Sequence, residues 1–250
     1  MNEPHWISAV FSPTGGTAAV AKAVTGGMGQ VVDLSHPVPE TPVPDNAVLL
    51  AAAPVFGGRI PAVALERLAA LKGSGPAVVL AVYGNRAWED ALLELKDALT
   101  AGGFQVVAAA AFVAQHSIAP TIAQGRPDSA DLEQAAAFGR AVLDKLAGPD
   151  SLSPVSVPGN VPYKDWKGVP FHPAAGESCI SCAVCAARCP VGAIPTGQPN
   201  QTDPDRCITC MRCVSVCPRG ARTIPAPALQ ATTAMLEEKA GTPRQPELFL

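Results

Sequence analysis

The 250-residue chain has no apolar run long enough to cross a bilayer. Its longest, around Val48 to Ala53, Ala77 to Tyr83 and Val106 to Ala114, fall far short of the roughly 18 residues a membrane helix needs, so they read as buried strands. Dense basic runs and aromatic platforms interleaved with basic side chains are also missing, which argues against a nucleic-acid surface. The start, Met1-Asn2-Glu3-Pro4-His5-Trp6, lacks the basic stretch and apolar core of a signal peptide, so a reducing, cytoplasmic setting is expected. The Gly-x-Gly-x-x-Gly dinucleotide fingerprint does not occur. Cysteine is absent from the first 178 residues.

What is present is a large apolar fraction, 48%, enough for a substantial core, in a length that suits one full α/β domain and a small second one. Residues 1–148 alternate apolar runs with helical patterns, the signature of a parallel sheet with crossover helices. Five strands are expected, near Trp6 to Phe11, Gln30 to Leu34, Ala47 to Ala53, Ala77 to Tyr83 and Phe104 to Val113. Helices fill the gaps. The second has Pro61 in its first turn and Leu65, Leu68 and Leu71 before Gly73; the third runs from about Arg86, with Trp88, Leu92, Leu95 and Leu99 on one face. The fourth begins at Asp128 or Ser129 and stops at Gly148-Pro149. Five strands and four helices in this order predict a doubly wound α/β sheet. Residues 149–173, rich in Pro, Ser and Val, read as a linker, and Tyr163, Trp166 and Phe171 within it predict that it packs on something. Residues 226–250 read as a tail with a short helix through Leu229 to Lys239 and a mobile end from Gly241.

All eight cysteines lie in two copies of one pattern, C-x2-C-x2-C-x3-C-P: Cys179, Cys182, Cys185, Cys189 with Pro190, and Cys207, Cys210, Cys213, Cys217 with Pro218. A shift of 28 residues superposes one set on the other. A disulfide framework would need an oxidising compartment, and a structural zinc site would leave the third and fourth cysteines of each run surplus. The spacing is that of a two-cluster bacterial ferredoxin, in which three thiolates of one run hold an iron-sulfur cube and the fourth ligates the other cube. The expected division is Cys179, Cys182, Cys185 and Cys217 for one [4Fe-4S] cluster, and Cys207, Cys210, Cys213 and Cys189 for the second. Gly192 and Gly220, three residues after each fourth Cys, either pass close to a cluster or shape a turn.

Charge is unevenly spread. Residues 1–150 hold 9 Lys and Arg against 14 Asp and Glu, or −5, whereas residues 176–225 hold five Arg against three acids, or +2. Those arginines, Arg188, Arg206, Arg212, Arg219 and Arg222, either offset cluster charge and make surface ion pairs or dock the segment electrostatically onto the acidic N-terminal part.

Between the first strand and first helix lies Ser12-Pro13-Thr14-Gly15-Gly16-Thr17. It resembles the flavodoxin phosphate loop, [ST]-x-T-G-x-T, in which hydroxyls, backbone N–H groups and a helix N-terminus hold the phosphate of FMN. The same residues suit a plain capped turn. Two further loops, Pro54-Val55-Phe56-Gly57-Gly58-Arg59-Ile60-Pro61 and Tyr83-Gly84-Asn85-Arg86-Ala87-Trp88-Glu89-Asp90, pair glycines with aromatics as a flat ring requires. Trp88 also fits the core face of the third helix, Arg59 and Arg86 fit either a reduced flavin or solvent, and His116-Ser117 fits a polar loop or the flavin site.

Taken together, these motifs resemble the flavodoxin-ferredoxin fusions of the EFR1 type, over about residues 1–225. The resemblance implies a flavodoxin-like five-stranded parallel sheet in the order 2-1-3-4-5, followed by a small α+β two-cluster ferredoxin domain at residues 174–225. It implies FMN bound by Ser12, Thr14, Gly15, Gly16, Thr17, Pro54, Val55, Phe56, Gly57, Gly58, Tyr83, Gly84, Asn85, Arg86, Trp88 and Asp90. The expected function is an electron-transfer flavoprotein relaying single electrons between two clusters and FMN, and so to or from an external redox protein or small-molecule acceptor. The alternative is a flavin-dependent reductase of a quinone, nitro compound or activated alkene, for which Tyr83, His116 and Asp90 are the nearest proton donors. A redox sensor would need an output surface that the sequence does not present.

Overall fold

The structure, a computed structural model, describes residues 5–149 and 151–250. Strands β1 (His5–Val10), β2 (Gln30–Asp33), β4 (Ala47–Pro54), β6 (Pro76–Tyr83) and β7 (Gln105–Val113) form the parallel part of one sheet, in the order β2-β1-β4-β6-β7. β3 (Thr41–Pro42) and β5 (Leu71–Lys72) make a separate two-residue pair. β4, β6 and β7 are buried along nearly their whole length, which is why their sequences are continuous runs of Ala, Val and Leu rather than alternating ones.

Helices cover both faces. α1 (Gly16–Val24) and α4 (Ser129–Ala147) set Val20, Val24, Phe138 and Val142 against Trp6, Leu50, Leu80 and Phe112. α2 (Ala62–Leu68) and α3 (Ala91–Ala101) set Leu68, Leu92, Leu95 and Leu99 against Leu49, Val79 and Val106 on the opposite side. α4 starts where Asp128 accepts the Asp131 N–H and the Asp131 carboxylate accepts the Asp128 N–H, a reciprocal cap. Helix pairs on opposite faces of the parallel sheet make this a doubly wound α/β sheet, whose ligand crevice lies at the carboxyl ends of the strands. The loops after β1, β4, β6 and β7 all reach that edge.

Three expectations are corrected. The sheet has six strands, because β10 (Glu247–Phe249) adds antiparallel to β7, pairing Glu247 with Ala111 and Phe249 with Ala109. The end expected to be mobile is therefore part of the sheet. It is held further by Asn85, whose Nδ2 donates to the Ala240 and Thr242 carbonyls and whose Oδ1 accepts the Arg244 N–H. Finally, α3 begins at Ala91 rather than near Arg86, since Asn85 (φ 63°) and Glu89 (φ 44°) are left-handed and no helix runs through them.

The linker crosses the first domain as irregular chain. Val155 enters the core and donates its N–H to the Val106 carbonyl at 3.0 Å. Beyond it, β8 (Ala174–Ala175) pairs antiparallel with β9 (Arg222–Thr223), enclosing the short helices α5 (Val184–Ala187) and α6 (Arg212–Ser215). α7 (Ala226–Ala240) then returns over the loop that follows β7, burying Leu236 and Ala240 against Ala119 and Ile122.

Candidate functional site

The 28-residue repeat in sequence is a repeat in backbone. Ser181 and Thr209 (φ 54° and 49°), Ala183 and Met211 (φ 58° and 63°), and Gly192 and Gly220 (φ 61° and 58°) are left-handed pairs, and α5 and α6 are related by the same shift. The Ala193 N–H donates to Cys189 Sγ and the Ala221 N–H to Cys217 Sγ, both at 3.2 Å. One small cavity is lined by Cys179, Cys182, Cys185 and Cys217, and another by Cys189, Cys207, Cys210 and Cys213. Each wall thus takes three thiols from one run and one from the other. Among the described residues no three His, Cys, Asp or Glu side chains gather as they would on one ion, and all eight cysteines are free of disulfides.

The second set is the more enclosed. Burial pushes the Cys210 thiol up to about 12 and the Cys213 thiol up to about 11, so bare thiolates are costly there and a cationic metal site offsets that cost. At Cys217, burial also acts upward, but the surrounding N–H groups of Arg219, Ala221, Arg222 and Gly220 outweigh it and hold the thiol below its ordinary value. Arg222 is 1% exposed and ties the module together by donating to the carbonyls of Pro173, Pro199 and Gln201.

At the crevice, Ser12 Oγ accepts the Ala18 N–H at 2.9 Å and the Gly15 carbonyl accepts the Ala19 N–H, with Gly15 left-handed at the helix cap. The turn has no acidic residue to occupy its donors. Thr14, Gly16 and Thr17 line a cavity of about 60 Å³ together with Pro54, Val55, Phe56, Tyr83 and Gly84. Val55, Phe56, His116 and Ser117 join it to a neighbour of about 320 Å³, which also takes in Gly57, Arg86, Lys164, Trp166, Met235 and Lys239. The walls are largely apolar and suit a flat, electron-rich group; Arg86 and Lys164 both pair with Glu89, Lys239 stands among them, and the volume lies within the usual range for small-molecule sites.

Of the sixteen expected flavin contacts, these two cavities bring together Thr14, Gly16, Thr17, Pro54, Val55, Phe56, Gly57, Tyr83, Gly84 and Arg86. Ser12 and Gly15 serve the helix cap behind them. The remainder line neither cavity and have other partners. Asn85 holds the C-terminal segment, and Trp88 is buried with its indole N–H on Glu247 Oε1 at 2.8 Å and its ring edge-on to Phe249. Gly58 packs beneath Glu89. Asp90 is 1% exposed and clasps the linker, accepting the N–H groups of Asn160 at 2.8 Å and Lys164 at 2.6 Å and the Asn160 amide at 3.0 Å. Burial alone would raise its pKa, but these bonds and the nearby Arg59 hold it below the ordinary carboxylate value. Arg59 is likewise structural: it pairs with Glu94 through two bonds and lies over the Tyr163 ring.

His116 belongs to the site more firmly than its sequence context suggested. Its Nδ1 accepts the N–H groups of Ile118 at 3.3 Å and Ala119 at 3.1 Å, which places the imidazole proton on Nε2. Burial, with the charge of Arg86, lowers its pKa to about 4, so it is neutral near pH 7. Trp166, Lys164, Met235 and Lys239 also entered unforeseen. Trp166 lies against Gly57, where φ is 60° and an added Cβ would strike the indole.

The Cys-rich module docks directly on this crevice. Cys210 lines the 60 Å³ cavity opposite Thr14 and Tyr83, and Ile208 and Thr209 line the larger one. Arg212 Nη1 donates to the carbonyls of Pro13 at 3.0 Å and Ser12 at 3.3 Å, and Arg67 donates to the Pro190 carbonyl at 2.5 Å. Among the described residues none of the five module arginines forms an ion pair, so docking works through carbonyl oxygens and not through carboxylates as the charge asymmetry suggested.

Two family models match the module: segments 176–192 and 201–223 each correspond to a 4Fe-4S binding domain. No curated protein matches the chain. Among solved structures, the flavodiiron core of Flv1 from Synechocystis sp. PCC6803 is similar at 14% identity over 58% of this chain, with a TM-score of 0.37. The flavodiiron protein from Giardia intestinalis is similar at 16% identity over 57%, with a TM-score of 0.35. The chain spans 37% and 36% of those two proteins. Megasphaera elsdenii flavodoxin is similar at 18% identity over 53% of this chain and 98% of its own, with a TM-score of 0.32. The strand order and the helices on both faces, not these distant likenesses, make the first domain flavodoxin-like. With 4Fe-4S binding segments beside it, the chain joins a flavodoxin-like fold to two iron-sulfur binding motifs. Among the described residues no helix is long and apolar enough to cross a membrane.

Proposed function

We propose that the chain is an electron-transfer flavoprotein built as a flavodoxin-ferredoxin fusion, relaying single electrons between two [4Fe-4S] clusters and FMN in a reducing cytoplasm. Residues 1–148 form the flavin domain and 174–225 the iron-sulfur domain in this reading. The observation that carries it is Cys210, a thiol of the second set, on the wall of the cavity that also presents Thr14, Gly16 and Thr17. Thr14, Gly16 and Thr17 would hold the phosphate, and Val55, Phe56, Gly57, Tyr83, Gly84, Arg86 and His116 the remainder of FMN. Cys179, Cys182, Cys185 and Cys217 would hold one cluster, and Cys189, Cys207, Cys210 and Cys213 the other. When bound, FMN exchanges one or two electrons and each cluster one, so their union converts between the two modes.

The chain's own groups favour a carrier. Ile208 and Thr209 of the Cys-rich module, Trp166 of the linker and the α7 residues Met235 and Leu236 line the larger cavity, so the chain itself brings a second redox module to the flavin space. None of the three proton-donor candidates is suited to acid catalysis: Asp90 is committed to the linker, His116 is neutral and fixed by two N–H groups, and burial raises the Tyr83 hydroxyl. Anaerobic reconstitution with iron, sulfide and FMN tests the assignment. About eight irons and one FMN per chain are expected for two cubanes and one flavin; full iron with no flavin retained would overturn the flavin half.

A further inference from the structure

The two cysteine repeats share a backbone but not an environment. In the second, Ile208 packs on the core of the α/β domain, Cys210 and Met211 are buried, and Arg212 reaches the Ser12 and Pro13 carbonyls. The 28-residue shift relates these four positions to Ile180, Cys182, Ala183 and Val184. There Ile180 is 61% exposed, Val184 is 37% exposed and Cys182 is exposed. The face with which the second repeat meets a cofactor cavity is thus left open in the first.

We propose that this open face, centred on Ile180, Cys182 and Val184, is the docking surface for an external, acidic one-electron carrier protein. The inference rests on the iron-sulfur reading given above. The internal repeat supplies the first argument, since one copy of the face is already an interface between a thiol set and a second redox site. Composition supplies the second: two exposed aliphatics flank a thiol of the set farther from the flavin crevice, an apolar centre that a partner would cover. Charge supplies the third. Arg219 is exposed and lines the cavity of that set, Arg188 is exposed on the same module, and neither is used in an ion pair among the described residues. Glu177 is the one acid in the 177–189 stretch, so the surface side chains that rim this face are basic. An apolar centre with a basic rim steers an acidic partner, and so small a face suits the brief encounters of electron carriers.

The test uses the reconstituted full chain and, as probe, an acidic bacterial two-cluster ferredoxin, with affinity measured by calorimetry at low and at moderate ionic strength. Binding that weakens with salt is expected. Ile180→Asp with Val184→Asp, and separately Arg219→Glu, should each weaken it about tenfold or more. Ser129→Asp, an exposed position on α4 outside the Cys-rich module, should leave it unchanged. The visible absorbance of each variant reports whether its clusters are loaded. A chain that takes up no iron overturns the iron-sulfur reading and this proposal with it. A loaded chain that fails to bind, or that binds equally well after all three substitutions, overturns the docking surface alone.

Discussion

Replacing Arg212 with Ala removes the most direct bond between the Cys-rich module and the turn that opens α1. Its Nη1 makes one good bond, 3.0 Å to the Pro13 carbonyl, and a longer one, 3.3 Å to Ser12. A charged donor contributes about 1.5 to 3 kcal/mol. The longer bond adds little, and the buried Nε without a partner subtracts from the total, so about 2 kcal/mol of docking energy should be lost. At about 1.4 kcal/mol per tenfold, undocked molecules become roughly thirty times more frequent. Hydrogen exchange reads this locally, because undocking exposes the N–H groups near the turn while the distant β4 and β6 amides stay protected. Arg212→Lys keeps one charged donor and should recover part of the effect. Unchanged exchange in residues 12–19 of Arg212→Ala, with an unchanged urea midpoint, would refute the reasoning.

Other residues yield sharper single outcomes. Asp90→Ala leaves three donors of the linker without their acceptor, so unfolding should become easier by about 3 kcal/mol and protease should cut between residues 150 and 170, as urea titration and mass mapping would record. Because the folded Asp90 pKa is lowered from 3.8, its contribution is complete above that value and disappears as the pH falls through the lower folded value; an acid titration in which Asp90→Asn and wild type lose stability in parallel would contradict this. Tyr83 has a buried hydroxyl with no hydrogen-bond partner among the described residues, so Tyr83→Phe should leave the cofactor-free protein as stable or more so by up to about 1 kcal/mol, measured by thermal melting. Gly57→Ala needs a left-handed alanine and displaces the Trp166 ring, so a loss of about 1 to 2 kcal/mol and a red shift of tryptophan emission are expected.

Periodic and covalent features were the readable ones. The runs from Ala47, Ala77 and Gln105 become strands because central parallel strands bury both faces and tolerate no polar interruption. Asp128 is readable as a cap because the Asp131 side chain completes it locally. The cysteine spacing needs no tertiary knowledge. By contrast, β10 has three residues, too few for a period-two pattern, and its pairing with β7 is settled by residues more than 130 positions away. Asn85 and Asp90 carry the polar chemistry of a ligand site, but here it satisfies backbone of the tail and the linker. The reverse holds for Trp166, Lys164 and Lys239, whose linker and tail context has no regular pattern yet whose side chains close the cavity. Only the folded chain reveals such exchanges between local and distant partners.

The central claim is that the thiol set containing Cys210 and the crevice of Thr14 and Phe56 operate as one redox unit. Anaerobic flash reduction of the loaded protein, followed at the iron-sulfur and flavin absorbances, tests it most directly. The account requires flavin reduction at a rate independent of protein concentration in the wild type, and its loss to slow, concentration-dependent exchange in Cys207→Ala with Cys213→Ala, which removes the set nearest the crevice. Equal rates in the two proteins, with FMN bound in both, would contradict it.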